Sequence, residues 1–457
     1  MMRPSTFFHA AVPGPIDRAR STRGRDGSRS FRSTHPRAAA AVAAGAALTL
    51  ALSACAGSAG GGGGTGSGGS GEGYEYGASE EEIRAAFADI DPITITYQPS
   101  AQSAQGIDAY RALAFIENIE TLSDGKVTVE AVYGQAIAGY TELGDALADG
   151  RVDVAYMLPV YQPDEYPVFQ GYVTGSTLTG TYPLVDELAA NAALGELTWN
   201  DPNYLAEFEE KGLHPLNSFN AAGAVMALCK DPHTSAEDWN GNQVRVSGTA
   251  QSAQLQAVHG SPVSLQYTET FEALERGTID CTFSTTLAAI AGGFLDVAPN
   301  VGYTTDVTFA RGPGAVMAGS AWESWPLAVQ QLVFDAMADE FTESRRGDLD
   351  GNYFGLESVR SAGGEFRELD ADVQSSLLEK SEGLVEAEIE TGTLPEGSAE
   401  AIAESMEKWR GIAAELGYED AGTFSDYDEW YPQEDTEYLA PYGQRYFEEV
   451  MLPHRPS

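Results

Sequence analysis

Ile93-Thr94-Ile95-Thr96-Tyr97 alternates β-branched residues and stops at Gln98-Pro99-Ser100, so the stretch predicts a strand bounded by a turn. A helix-period stretch with Tyr110, Leu113, Ala114 and Ile116 follows and ends near Asp124-Gly125. Next come a strand at Lys126 to Val132, a short helix at Thr141 to Ala148 and a buried strand at Val152 to Leu158. Strand, helix, strand, helix, strand predicts parallel strands joined by crossover helices. The pattern returns farther along, with strands at about Ala224 to Cys229, Gln243 to Val246, Pro262 to Leu265 and Thr278 to Phe283. Helices at Ala250 to Val258, Thr268 to Glu275 and Thr286 to Phe294 alternate with them. Beyond lie long helical segments rich in Ala, Glu and Leu: Ser324 to Ser358, Ala371 to Glu390 and Ser398 to Leu416. Roughly 370 residues from about Glu80 onward exceed what one core comfortably supports. The expected fold is therefore α/β, with two lobes and long bracing helices. Ligands of open α/β sheets sit at strand carboxyl ends, here Gln98, Leu158 to Tyr161, Arg245 to Ser247, and Phe283 to Thr285.

The residues before this pattern concern where the protein works. Eight arginines and two aspartates occupy the first 37 residues, followed by the apolar run Ala38 to Ala54 and then Leu52-Ser53-Ala54-Cys55 overlapping its end. A basic start, a short apolar stretch and small residues before the cut read as an export signal. Leu-Ser-Ala-Cys resembles the lipobox of bacterial lipoproteins, and that resemblance implies lipid on Cys55 and an anchor to the outer face of the cell membrane. Residues 56–84 then read as a Gly/Ser-rich disordered tether. Its GTGSGG (Gly64 to Gly69) matches G-x-G-x-x-G only formally, because neither a strand nor a helix flanks it. Removing the leader's charges from totals of 26 basic and 68 acidic residues leaves a formal charge near −48. Such a chain does not bind nucleic acid or anionic lipid through its general field.

Catalytic and metal signatures are absent. There is no H-E-x-x-H, no G-x-S-x-G and no D-x-[DN]-x-[DN]-G loop, and His214, His233 and His259 are the only histidines between the leader and His454. No cofactor or metal is expected. After Cys55 only Cys229 and Cys281 remain, and an oxidising compartment permits a disulfide or leaves two buried thiols.

Three local patterns carry a family resemblance. The first is SDGKVTVEAVY (Ser123 to Tyr133), followed by Glu142 and ALADGRVDVA (Ala146 to Ala155). The second is WNGNQVRVS (Trp239 to Ser247), and the third is GSPVSLQYTETFEALERGTID (Gly260 to Asp280). In this order the chain, from about Ile93 to about Lys408, resembles the extracytoplasmic solute-binding proteins of tripartite ATP-independent periplasmic (TRAP) transporters, often labelled C4-dicarboxylate-binding. The likeness is weak over Gly180 to Lys211.

The resemblance implies a two-lobed periplasmic-binding-protein-like fold: residues 85–220 with 302–345 as lobe I, residues 221–301 with 346–420 as lobe II and bracing helices, and 421–457 as an acidic, aromatic extension. It implies that Arg245 grips a ligand carboxylate, which suits the planar fork of a guanidinium. Gln98, Tyr267, Phe283 and Ser284 fall at further ligand positions, as do Leu158 and Tyr161 on the loop after the third strand. Cys281 stands where a glycine is usual, Ser284 where an asparagine is common, and Val225 where sialic-acid binders carry a second arginine. One cation and an apolar wall point to a small organic acid with one principal carboxylate and a hydrocarbon or aromatic body. The implied partners are TRAP permease subunits, with the binding protein a monomer. Service to an ABC importer or a sensor kinase remains an alternative, and a carboxylate-acting enzyme or an adhesion protein a remoter one. Tyr427, Trp430, Tyr431, Tyr438, Tyr442 and Tyr446 of the extension are expected to pack over the fold.

Overall fold

In β1 (Ile93–Gln98) the side chains of Ile95 and Tyr97 turn inward and Thr94 outward, as the alternation requires. The computed structural model describes residues 73–457; the export signal, Cys55 and the tether up to residue 72 lie outside them. The end of the expected tether is ordered structure. Ser79 and Glu82 form a capping box that starts helix Glu80–Ala86, and Tyr74, Ile83 and Phe87 are buried. Among the described residues no helix is long and apolar enough to cross a membrane.

The remaining strands are β2 (Val127–Ala131), β3 (Val154–Met157), β4 (His214–Asn220), β5 (Met226–Cys229), β6 (Gln243–Val246), β7 (Ser261–Ser264), β8 (Cys281–Ser284), β9 (Asn300–Tyr303), β10 (Gly314–Ala318) and β11 (Phe366–Glu368). They form two sheets, ordered β2-β1-β3-β10-β4 in lobe I and β11-β9-β5-β8-β6-β7 in lobe II. The strands joined by crossover helices pair in parallel, β1 with β2 and β3, and β6 with β7 and β8. Both sheets are nevertheless mixed: β10 runs antiparallel to β3 and β4, and β5 antiparallel to β8 and β9. These are the strands flanking the two crossings of the chain, from β4 to β5 and from β9 back to β10.

Helix Met337–Ser361 makes the third connection. At 25 residues it is about 37 Å long, and it packs on Tyr110–Leu122 in lobe I and on Thr286–Gly292 in lobe II. The expected single helix from Ser324 is two: Pro326 caps Leu327–Asp335, and Ala336 separates that helix from the long one. Gly180 to Lys211, which carries little family likeness, supplies helices Val185–Trp199 and Pro202–Glu209 to the lobe I core. Arg311 fastens the crossings to this layer. It makes a buried, two-pronged contact with Glu187, both bonds 3.0 Å, and donates to the Ala222 carbonyl at 2.9 Å.

The aromatic extension lies on the fold, with Tyr427, Tyr431, Tyr442 and Tyr446 buried. Asp420 accepts from the Leu184 and Val185 N–H groups at the start of a lobe I helix, at 2.7 and 3.1 Å. Phe424 meets Tyr303 at the end of β9, and Tyr431 donates to Asp350 of the long helix at 3.2 Å. Cys229 and Cys281 stand directly opposite on β5 and β8 with Cα atoms 4.1 Å apart, and they are disulfide-bonded.

Candidate functional site

Arg245 occupies the middle of β6, held between β7 and β8, with Val244 and Val246 packed into the lobe II core. The side chain is 3% exposed. Its Nε donates to the Leu265 carbonyl at 2.9 Å, Nη1 to the Phe283 carbonyl at 3.0 Å and Nη2 to the Tyr161 hydroxyl at 3.0 Å. A guanidinium has five N–H groups, so one on each terminal nitrogen is unused. Among the described residues no carboxylate lies within ion-pairing distance of Arg245.

These groups border a cavity between the lobes of about 130 Å³. Leu158, Tyr161, Tyr267, Phe283 and Ser284 line it together with Arg245, as does Val225. Gln98 does not. It is 1% exposed, and its amide donates to the Ala138 carbonyl while accepting from the Ile137 and Ala138 N–H groups. The expected ligand contact is therefore corrected to a structural one: the loop after β1 is long enough that later residues, Ser100, Asp108 and Arg111, reach the cavity instead.

Tyr161 and Tyr267 join the lobes reciprocally. The lobe I hydroxyl of Tyr161 accepts from Arg245 and from the Tyr267 N–H at 3.0 Å. The lobe II hydroxyl of Tyr267 receives the Gln102 amide at 2.8 Å, lies 3.2 Å from the Tyr140 hydroxyl and donates to the Ser100 carbonyl at 3.2 Å. Burial raises both the Tyr140 and Tyr267 phenols above their ordinary values, so both stay protonated donors. Gln251 fixes the turn after β6, accepting from Ser247 and donating to the Ala310 carbonyl.

Sequence reasoning missed a second cation. Arg111, on the helix after β1, stacks 3.8 Å over the Tyr156 ring and donates to the Ser100 and Ser344 hydroxyls. The rule that ligands gather at strand carboxyl ends covers Arg111 and Asp108 once the whole β1 loop is included. Nothing local marks Tyr140 or Asp348, which arrive from distant segments. Among the described residues, Cys229, His233 and Cys281 lie close enough together to share a metal, but both sulfurs are bonded to each other.

Comparison with known proteins fits this architecture. A solute-binding protein of Sulfitobacter sp. (strain NAS-14.1) is 30% identical over 132 residues, 28% of this chain and 39% of that protein. One from Roseobacter denitrificans is 24% identical over 206 residues, 43% of this chain and 57% of that one. The chain thus aligns with less than two thirds of either relative's length. Among solved structures, a TRAP solute-binding protein from Rhodoferax ferrireducens with copurified benzoate superposes with a TM-score of 0.61 at 15% identity, covering 70% of this chain and 99% of that one. A sugar-acid-binding protein from Advenella mimigardefordensis with galactonate gives 0.59 at 19%, covering 70% and 100%. The periplasmic ectoine-binding protein of a Halomonas elongata TRAP transporter gives 0.57 at 18%, covering 70% and 99%. These share the two-lobed fold. The model of the bacterial extracellular solute-binding proteins, family 7, matches residues 98–391, well over half of the sequence; the chain belongs to that family.

Proposed function

We propose that this protein is an extracytoplasmic lipoprotein, anchored through Cys55, that captures an organic acid by its carboxylate and hands the closed complex to a TRAP-type permease driven by an ion gradient. The unpaired fork of Arg245 carries this reading. In a chain with 68 acidic residues, a buried arginine whose two remaining N–H groups meet no carboxylate among the described residues is suited to a carboxylate from outside. The cavity is close in size to the ~150 Å³ space that holds benzene in an apolar protein core, which favours a compact acid. The benzoate and galactonate held by the structural relatives are acids of that kind. Ligand on Arg245 stabilises the closed arrangement because the lobe I hydroxyl of Tyr161 sits on the same guanidinium; a ligand indifferent to closure would shift nothing.

Calorimetric titration with the tightest acid from a thermal-shift screen tests this. Arg245→Lys keeps the charge and loses the fork, and it is expected to weaken binding about 100-fold. Undiminished affinity in that variant would remove Arg245 from the site.

A further inference from the structure

Four charged side chains line the cavity: Arg245, Arg111, Asp108 and Asp348. Three are answered by the reading above or by neighbours. Arg245 takes the carboxylate. Asp348 lies 3.1 Å from Arg345. Arg111 uses its terminal nitrogens on Ser100 and Ser344, lies flat on Tyr156, and is the main positive influence on Glu340, a fully buried carboxyl one of whose oxygens has no hydrogen-bond partner. Arg111 is thus the countercharge of a buried acid and is poorly placed to hold a second anionic group.

Asp108 is different. It sits in the short helical turn Ile107–Ala109 at the cavity wall, and no cation lies within ion-pairing distance of it among the described residues. The contact it receives from a neighbouring residue is the Gln102 N–H at 3.4 Å, the outer limit of a hydrogen bond. Burial pushes its carboxyl above the ordinary value, and the pull of Arg111, which is engaged with Ser100, Ser344 and Glu340, opposes this only in part. One cavity therefore holds a cation, Arg245, and an acid, Asp108, neither of which has an ion-pair partner among the described residues.

We infer that Asp108 is a second recognition group, and that the captured solute is a zwitterion: a carboxylate for Arg245 joined to an ammonium or amidinium group for Asp108. Such a solute enters with no net charge and leaves the wall of two cations and two acids balanced. A dianion would bring its second carboxylate toward Asp108 and Asp348, inside a protein of formal charge −42, and like charges in a water-poor cavity repel strongly. This inference rests on Arg245 as the carboxylate anchor.

The test uses the purified chain. A thermal-shift screen of small carboxylic acids grouped by net charge is followed by calorimetry on two matched sets: butanoate, 4-aminobutanoate and succinate; and 4-methylbenzoate, 4-(aminomethyl)benzoate and terephthalate. Zwitterions are expected to dominate the hits, and the zwitterion of the better-fitting set to bind at least about tenfold tighter than its monoanion. Asp108→Asn, which keeps the shape of the side chain, is expected to erase that advantage by weakening the zwitterion at least about tenfold while monoanion and dianion bind no more weakly than before, because their repulsion by Asp108 is gone. Dianions or monoanions that bind as tightly as zwitterions, or an unchanged ranking in Asp108→Asn, overturn the inference and leave Arg245 in place. If no acid of any class binds, carboxylate capture itself falls.

Discussion

At the scale of single residues, the proposed coupling of binding to closure runs through Tyr161. Its oxygen accepts from Arg245 and from the Tyr267 N–H, so both lobe II donors depend on one lobe I hydroxyl. Tyr161→Phe leaves these donors without their acceptor at a cost of about 1–3 kcal/mol. The expected result is ligand affinity lower by about tenfold, with most of the change in a faster dissociation rate, measured by stopped-flow fluorescence; an unaltered dissociation rate would count against the coupling. Arg245 was legible as a cavity-lining position because the family resemblance carried by WNGNQVRVS marks it. Gln98 was legible only as a position. Its amide satisfies three backbone groups of a segment 40 residues away, and no local pattern reports where that segment lies.

At the scale of elements, the parallel strands and crossover helices could be read because each carries its own period. Strands β4 and β9 to β11, which include the antiparallel β10, lack that help. Val185–Trp199 was opaque for another reason: it is buried on nearly every side, so it has little polar face to reveal its turn. The long helix shows how closely elements approach. A Cβ on Gly351 would fall 2.8 Å from the Leu287 backbone nitrogen on helix Thr286–Gly292, whereas a Cβ on Gly383, in helix Ala371–Thr391, meets nothing within 4 Å. Alanine gains about 1 kcal/mol of helix propensity over glycine at either place, but at Gly351 backbone must move, at about 1–3 kcal/mol. Denaturant unfolding should therefore show Gly383→Ala stabilised by up to about 1 kcal/mol and Gly351→Ala destabilised. Ligand affinity should fall only in Gly351→Ala, because Leu287 also lines the cavity.

At the scale of the whole molecule, stability should respond to acid in an unusual direction. Asp350 is fully buried under Tyr431 of the carboxyl-terminal extension, and burial pushes its carboxyl from 3.8 to about 6. A carboxyl whose folded value is raised stabilises fully below its unfolded value and loses that contribution as pH rises through the folded one. Between about pH 4 and pH 6 the loss is about 3 kcal/mol. Glu340, Glu343 and Asp348 on the same helix are raised by burial and add in the same sense. Scanning calorimetry is expected to give a higher unfolding temperature at pH 5 than at pH 7.5, with a smaller difference in Asp350→Asn; relief of general negative charge acts alike in both proteins and so does not explain the contrast. The extension that covers Asp350 also reaches the beginning of the described chain. Gln331 accepts from the Tyr74 N–H and donates to the Pro456 carbonyl, while Arg455 joins Asp335 to the Tyr74 carbonyl across 381 residues. At a synthesis rate of roughly 5–20 residues per second, Tyr74 waits on the order of 20–80 s for the residues that complete its surroundings. The surroundings of Tyr74 in lobe I cannot finish assembling until a segment 381 residues farther along the chain has followed it.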